Sequence, residues 1–185
     1  MTQKPPRFQK IPQFTRDASY AVDVSWTYLK TWLGEIEVDN KSLDMDPDFQ
    51  RGHVWTREQQ VRYCEFILRG GASGKDIQCN CPGWARVTDG TQGPYVLVDG
   101  KQRVTAVLAF LDNEFAVFEG QPYGGFYRDF ADRPDITKAK FRWHVNDLKT
   151  RAEVLQWYLD LNTGGTVHAD AEITRVRALL EAERA

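Results

Sequence analysis

The segment that most constrains the fold is residues 95–111, YVLVDGKQRVTAVLAFL, in which two apolar stretches flank a short polar cluster. The first stretch is short and rich in β-branched residues, which is typical of a buried strand. Beyond Asp99, the apolar residues between Gly100 and Leu111 recur at helical spacing. The segment therefore predicts a strand that passes through one glycine into a helix, with charged residues at the junction.

The rest of the chain contains both kinds of pattern. Helical spacing predicts helices at residues 24–36, 56–68, 150–162 and 171–185. Alternating or β-rich stretches predict strands at residues 36–39, 76–81, 115–120 and 140–145. Because strands and helices do not alternate strictly, we expect an α+β fold, with helices around a small mixed sheet and further helices at the C-terminal end.

The length of 185 residues favours one domain. Residues 1–20 are polar and Pro-rich, so we expect them to form a loose N-terminal segment. We expect residues 21–185 to form the domain, which includes the C-terminal helices from about residue 150.

Composition limits the function classes. The formal net charge of −2 gives no global basic field, so we do not expect histone-like coating of DNA, although a local basic patch remains open. The three cysteines, Cys64, Cys79 and Cys81, fit a reducing cytosol and do not have zinc-site spacing. The sequence contains no run of about 18 apolar residues and no signal-peptide pattern. We therefore expect a cytoplasmic protein (in the host cytoplasm if the gene is viral) without a membrane partner.

The polar cluster is DGKQR, residues 99–103, at the start of the predicted helix. The first N–H groups of a helix carry partial positive charge and attract anions. Lys101 and Arg103 add cationic donors, and arginine can hold a phosphate with two hydrogen bonds. Asp99 could hold a hydrated metal, orient a water or only cap the helix. The C-terminal end of a buried strand is a favoured place for ligands, so we interpret the cluster as a candidate anion site.

Residues 46–55, DPDFQRGHVW, lie just ahead of the next predicted helix, which Thr56 caps. Gln50, Arg51 and His53 are its candidate site residues, since an arginine can contact phosphate and a histidine can transfer a proton. Taken alone, however, the segment fits a helix-entry loop with its aromatic residues in the core.

Residues 162–168, NTGGTVH, connect the two predicted C-terminal helices. Asn162 offers a hydrogen-bond donor and an acceptor, while Gly164 and Gly165 permit close approach of a ligand. A helix C-cap followed by an N-cap explains the same residues without a ligand.

Taken in order, PDFQRGHVW, VDGKQR and LNTGGTVHADAEI resemble the motifs of domain-of-unknown-function family 262. This is the ParB-like domain in the N-terminal part of GmrSD-type modification-dependent restriction enzymes and related phage-defence proteins. The resemblance extends from about Trp26 to about Leu180, and the three motifs together are more specific than any one of them. It implies a ParB/sulfiredoxin-like α+β fold for residues 21–185.

In that family an Asp-Gly-Gln-Gln-Arg motif is associated with nucleotide binding and with nucleotide hydrolysis that supports DNA restriction. The resemblance implies matching residues here, namely Asp99, Gly100, Gln102 and Arg103, with Gln50, Arg51 and Asn162 from the other two motifs. Lys101 stands where the pattern has glutamine, which implies either stronger phosphate binding or a drift or loss of catalysis.

GmrSD-type enzymes also carry a C-terminal HNH-type nuclease domain, and we find no such cluster in this sequence. We therefore expect that any DNA cleavage would use the ParB-like site itself or a partner nuclease chain.

Three hypotheses for the function remain open, and all use the same pocket. In the first, the protein binds and hydrolyses a nucleoside triphosphate with DNA as partner: Lys101 and Arg103 hold phosphates, and Asp99 holds Mg²⁺ or positions water. Arg51 would stabilise developing charge, and His53 is a candidate acid or base.

The second hypothesis is a metal-dependent DNA nuclease, which requires acids such as Asp46, Asp48 and Asp99 to converge. The third is a non-catalytic regulator that binds DNA or a protein.

Overall fold

The computed structural model describes residues 8, 11–15, 19–38, 42–50, 52, 54–84, 93–163 and 170–184. Within these ranges the chain forms five strands: β1 (Tyr20–Ser25), β2 (Leu43–Asp44), β3 (Asp76–Asn80), β4 (Tyr95–Asp99) and β5 (Lys140–Asn146). The same ranges contain five α-helices: α1 (Trp26–Val38), α2 (Arg57–Leu68), α3 (Lys101–Leu111), α4 (Arg151–Thr163) and α5 (Asp170–Arg184).

The strands form one mixed sheet in the order β1-β5-β3-β4-β2. β1 and β5 pair antiparallel, β5 and β3 parallel, β3 and β4 antiparallel, and β4 and β2 parallel. The prediction of an α+β fold, with helices around a small mixed sheet and further helices at the C-terminal end, is confirmed.

Strand β4 lies between two hydrophobic cores. Successive residues of a strand point to opposite faces of the sheet. Leu97 accordingly packs in a core with residues of α1, α2 and α3, whereas the neighbouring Val98 packs with residues of α4 and α5. Both side chains are fully buried. Because β4 is covered on both faces, its C-terminal residue Asp99 emerges between the two layers of helices.

Helix α4 begins where the sequence predicts. The backbone N–H of Glu153 donates to the Thr150 hydroxyl oxygen (3.2 Å), and the backbone N–H of Thr150 donates to the Glu153 carboxylate (3.1 Å). These reciprocal bonds form a capping box, which satisfies N–H groups that have no partner inside the helix. Helix α2 begins with a similar box between Thr56 and Gln59.

Two predicted strands are wrong. Residues 36–38 continue helix α1, because Ile36 extends the apolar face of Leu29, Trp32 and Leu33 at helical spacing and is buried in the core. Residues 115–120 form no strand beyond one isolated bridge between Val117 and Gly125.

The sequence patterns did not predict strands β1 and β2. β1 shows alternating burial along YAVDVS, a signal that the sequence does contain, and β2 is only two residues long.

Candidate functional site

The floor of the site is the turn at residues 99–103, where β4 passes into α3. Gly100 is the N-cap of α3 and has a φ of 112°, in the left-handed region that favours glycine. A Cβ atom at this position would lie 2.5 Å from Cδ1 of Ile77. The first intrahelical bond runs from the N–H of Val104 to the carbonyl of Gly100 (3.0 Å). The turn therefore requires glycine, and it places the first N–H groups of α3 at the end of the strand.

The charged residues of this turn are paired. Nη2 of Arg103 donates to Oδ2 of Asp99 at 2.6 Å, and their side chains are 19% and 44% exposed. Nζ of Lys101 donates to a carboxylate oxygen of Asp46. Asp99 is thus bound to Arg103 and does not cap α3, since the cap is Gly100. An anion at this turn meets two cations that each already contact one carboxylate.

Gln102 connects the floor to the loop that follows residue 51. Its Oε1 accepts hydrogen bonds from the backbone N–H groups of Val54 (3.0 Å) and Trp55 (3.1 Å). Its Nε2 donates to the carbonyl of Gly52 at 3.2 Å. One amide side chain therefore satisfies three backbone groups and fixes the position of Trp55.

The 48–50 loop forms a second side of the site and contacts the floor through Gln50. Nε2 of Gln50 donates to the carbonyl of Leu97, one of the last residues of β4. The guanidinium of Arg175 donates to three successive loop carbonyls, those of Asp48 (2.6 Å), Phe49 (3.0 Å) and Gln50 (3.3 Å). Helix α5 therefore holds the backbone of the loop that carries Gln50.

Arg151 also holds this loop. It donates to both carboxylate oxygens of Asp48, at 2.8 and 2.7 Å, and its Nε lies 3.0 Å from Glu183. The bound guanidinium lowers the pKa of the Asp48 carboxyl from its ordinary value. Sequence reasoning did not identify Arg151 or Arg175, because an arginine on a helix carries no local signal of a partner more than a hundred residues away.

Asn162 lies near the C-terminal end of α4 and is buried. Its Nδ2 donates to the carbonyl of Tyr158 at 2.7 Å, and the Tyr158 hydroxyl donates to Glu172 of α5. Asn162, Tyr158 and Glu172 all line the same cleft as the floor. They form its third side.

The cleft between these three sides has a volume of about 560 Å³. It brings together residues of all three sequence motifs and several aromatic side chains. Its lining includes Gln50, Trp55, Tyr63, Phe66, Asp99, Gly100, Lys101, Gln102, Arg103 and Asn162. The other predicted site residues, Arg51, His53, Gly164 and Gly165, lie outside the described residues.

The acidic residues of the candidate nuclease site do not share one position. Asp46 contacts Lys101, Asp48 contacts Arg151, and Asp99 contacts Arg103. Across the described ranges, no group of three or more His, Cys, Asp or Glu side chains could hold a metal ion. The convergence of carboxylates that two-metal phosphodiester chemistry needs is therefore not seen among these three acids.

The three cysteines are free and buried. Burial raises the pKa of the Cys64 and Cys79 thiols, which keeps them protonated and unreactive at neutral pH. In the part of the chain that the structure describes, no helix is long and apolar enough to span a bilayer.

The fold and the site define an α+β domain with a cleft at the end of a buried strand. The chain belongs to the family of the GmrSD restriction endonuclease, N-terminal domain, whose family model matches residues 30–150. The match includes the floor and the 48–50 loop and ends before α4. No curated protein and no solved structure matches the chain.

Proposed function

We propose that this protein is a nucleotide-binding domain that hydrolyses nucleoside triphosphates in support of DNA restriction. The observation that carries this proposal is that three motifs far apart in the sequence line one cleft. The membership in a restriction-endonuclease domain family supports the link to restriction. The size of the cleft, about 560 Å³, is within the range of small-molecule and cofactor sites.

We place the phosphates at the 99–103 turn. The N-terminal N–H groups of α3 face the end of β4, and such a terminus favours phosphate through its dipole and its unpaired donors. Lys101 and Arg103 supply positive charge beside it. We assign phosphate binding to both cations, which exchange part of their contact with Asp46 and Asp99 for the ligand.

The residues of the turn fit a nucleotide-bound Mg²⁺. Mg²⁺ is commonly held by one or two carboxylates together with substrate phosphates, and Asp99 is a partly exposed carboxylate in the cleft. When bound, the ion neutralises charge on the phosphates. Asp99 would hold the ion or orient the attacking water, and Arg103 fixes the carboxylate for either role.

The remaining roles follow the sequence predictions. Gln50 and Asn162 line the cleft from the loop and from α4, and we assign both of them contacts with the ligand. Arg51 is proposed to stabilise charge that develops during hydrolysis, and His53 to transfer a proton. Gly164 and Gly165 are proposed to allow close approach of the ligand.

DNA and a nuclease chain are the proposed partners, and the nucleotide is the proposed substrate. A metal-dependent nuclease in the same pocket is less favoured, because each of the three candidate acids contacts its own cation. A non-catalytic regulator would show the same binding without turnover.

The test is phosphate release from a panel of nucleoside triphosphates with Mg²⁺, with and without duplex DNA. Wild type is compared with Asp99→Ala and Arg103→Ala. Arg62→Ala is the matched control, because Arg62 forms an i,i+4 pair with Glu58 on α2, just as Arg103 pairs with Asp99.

We expect turnover in wild type and in Arg62→Ala and its loss in both floor variants. Nucleotide binding without turnover in any condition would contradict hydrolysis and support the regulator. Metal-dependent DNA cleavage without a nucleotide would instead support the nuclease.

A further inference from the structure

Part of the cleft lining is aromatic. Trp55, Tyr63 and Phe66 line it, and we refer to these three residues as the aromatic wall. Trp55 and Tyr63 pack against the main hydrophobic core, whereas Phe66 belongs to neither core and is 47% exposed. Core packing therefore explains the positions of the first two rings but not that of Phe66.

The aromatic wall adjoins the charged floor. Gln102 of the floor holds the backbone of Trp55, whose ring lies 5.4 Å from that of Tyr63 between centroids. Burial raises the pKa of Tyr63, and the nearby charge of Arg103 opposes this effect. The Tyr63 hydroxyl donates to the carbonyl of Gly74 at 2.7 Å. The wall is thus a neutral surface fixed directly beside the proposed phosphate site.

Phe66 is held against the backbone that follows α2. A Cβ atom at Gly71 would lie 2.4 Å from Cε1 of Phe66, so the ring packs where only a glycine leaves space. The backbone N–H of Gly71 also donates to the carbonyl of Phe66 at 2.9 Å. The exposed ring therefore has a defined position at the edge of the cleft.

We infer that the aromatic wall binds the base of the nucleotide, with the base stacked on Phe66 and the phosphates at the 99–103 turn. This inference rests on the proposed function. A nucleotide has an anionic part and a flat aromatic part, and the lining of the cleft contains both a charged turn and aromatic rings. Stacking on an aromatic side chain accepts every base, because each base has a π-face. Phe66 contributes affinity for the base and none for the phosphates.

The experiment compares two ligands by isothermal titration calorimetry, a nucleoside triphosphate and inorganic tripolyphosphate, both with Mg²⁺. The proteins are wild type, Phe66→Ala and Gly71→Ala, which keeps the ring but displaces it. Tyr123→Ala is the control, because Tyr123 is an exposed aromatic residue that does not line the cleft. Thermal unfolding verifies that each variant is folded.

We expect Phe66→Ala to weaken nucleotide binding by roughly 5- to 150-fold, the range that corresponds to one base stacked on one ring. Tripolyphosphate should bind equally to all four proteins, Gly71→Ala should show a partial loss for the nucleotide, and Tyr123→Ala should match wild type. Unchanged nucleotide affinity in Phe66→Ala would overturn the inference. An equal loss for both ligands would also overturn it, because Phe66 would then act on the phosphate site.

The two proposals fail differently. If wild type binds the nucleotide and tripolyphosphate equally well, the base makes no contact, and the inference is wrong while the proposed phosphate site stands. If wild type binds neither ligand, the proposed function itself is wrong, and the base site fails with it.

Discussion

The floor of the cleft and the 48–50 loop are held in opposite ways. In the floor, five consecutive residues form the turn, and its arginine–carboxylate pair joins positions four residues apart. The loop is held by Arg151 and Arg175, which lie 103 and 127 residues beyond Asp48. The Arg103–Asp99 pair of the floor is therefore local, whereas the contacts of Arg151 and Arg175 with the loop form only when α4 and α5 pack against it.

The family match separates the loop from the two arginines that hold it. It covers residues 30–150 and thus includes the floor and the loop but not the two arginines that hold the loop. A substitution in the floor should change the turn itself. A substitution in α5 should release the loop and leave the turn intact.

The largest effect is expected for Gly100→Ala. An alanine would have to adopt a φ of 112° and would bring its Cβ atom 2.5 Å from Ile77. We expect a loss of about 2–5 kcal/mol in the free energy of unfolding, from backbone strain and overpacking together. Urea denaturation measures it.

Gly120→Ala is the matched control for this loss. Gly120 has a φ of 80° but nothing within 4 Å of its Cβ position, so it reports the backbone strain alone. If the two alanine variants lost the same stability, contact with Ile77 would not contribute at Gly100.

The next effect is expected for Arg175→Ala, which removes three hydrogen bonds to the loop carbonyls. We expect faster hydrogen exchange of the loop around residues 48–50 and a loss of about 1.5–3 kcal/mol in unfolding free energy, since hydrogen bonds to charged groups are individually of this order. Mass spectrometry of deuterium uptake locates the change.

Arg177→Ala on the same helix is the comparison, because Arg177 is exposed. Uptake that rises equally in both variants would show that the loop responds to α5 in general and not to the guanidinium of Arg175.

A smaller effect is expected for Gln102, which joins the floor to the loop near Trp55. Gln102→Ala removes the acceptor for the Val54 and Trp55 N–H groups and the donor to Gly52, and we expect it to cost about 1–2 kcal/mol. Gln102→Glu keeps the acceptor and should cost less. Thermal unfolding shows which of the two variants is less stable. An equal loss of stability in both would contradict the bridging role of Oε1.

The smallest effect concerns pH. Arg151 lowers the pKa of Asp48 below its ordinary value of 3.8, so this contact stabilises the fold above that pH and its contribution is lost as the pH falls through the lowered pKa. Both side chains are partly exposed, so Asp48→Asn should cost less than about 1 kcal/mol at pH 7. The difference in unfolding free energy between Asp48→Asn and wild type, measured by urea denaturation, should shrink below pH 3.8. A difference that stays constant into acid would contradict this assignment.

The floor could be predicted from the sequence because its signals are local. The short β-rich stretch before Asp99 predicted a buried strand, and helical spacing after Gly100 predicted α3, as the structure shows. The capping box between Thr150 and Glu153 likewise lies within four residues.

The sides of the cleft could not be predicted in this way. Nothing in the sequence around Arg175 indicates three carbonyl partners 125 to 127 residues away. The pairing of Lys101 with Asp46 is similarly non-local, and Phe66 carried no signal beyond the apolar pattern of α2. These contacts depend on how the helices pack and not on local periodicity.

The central claim is that the floor and the loop form one nucleotide site. Its most direct test is equilibrium binding of a nucleoside triphosphate to wild type, Arg103→Ala, Gln50→Ala and the control Arg62→Ala. We expect Arg103→Ala and Gln50→Ala each to weaken binding by about tenfold or more, as the loss of a hydrogen bond to a charged ligand implies, and Arg62→Ala to bind like wild type. Binding that depends on Arg103 but not on Gln50, or on neither, would contradict a single site built from both regions.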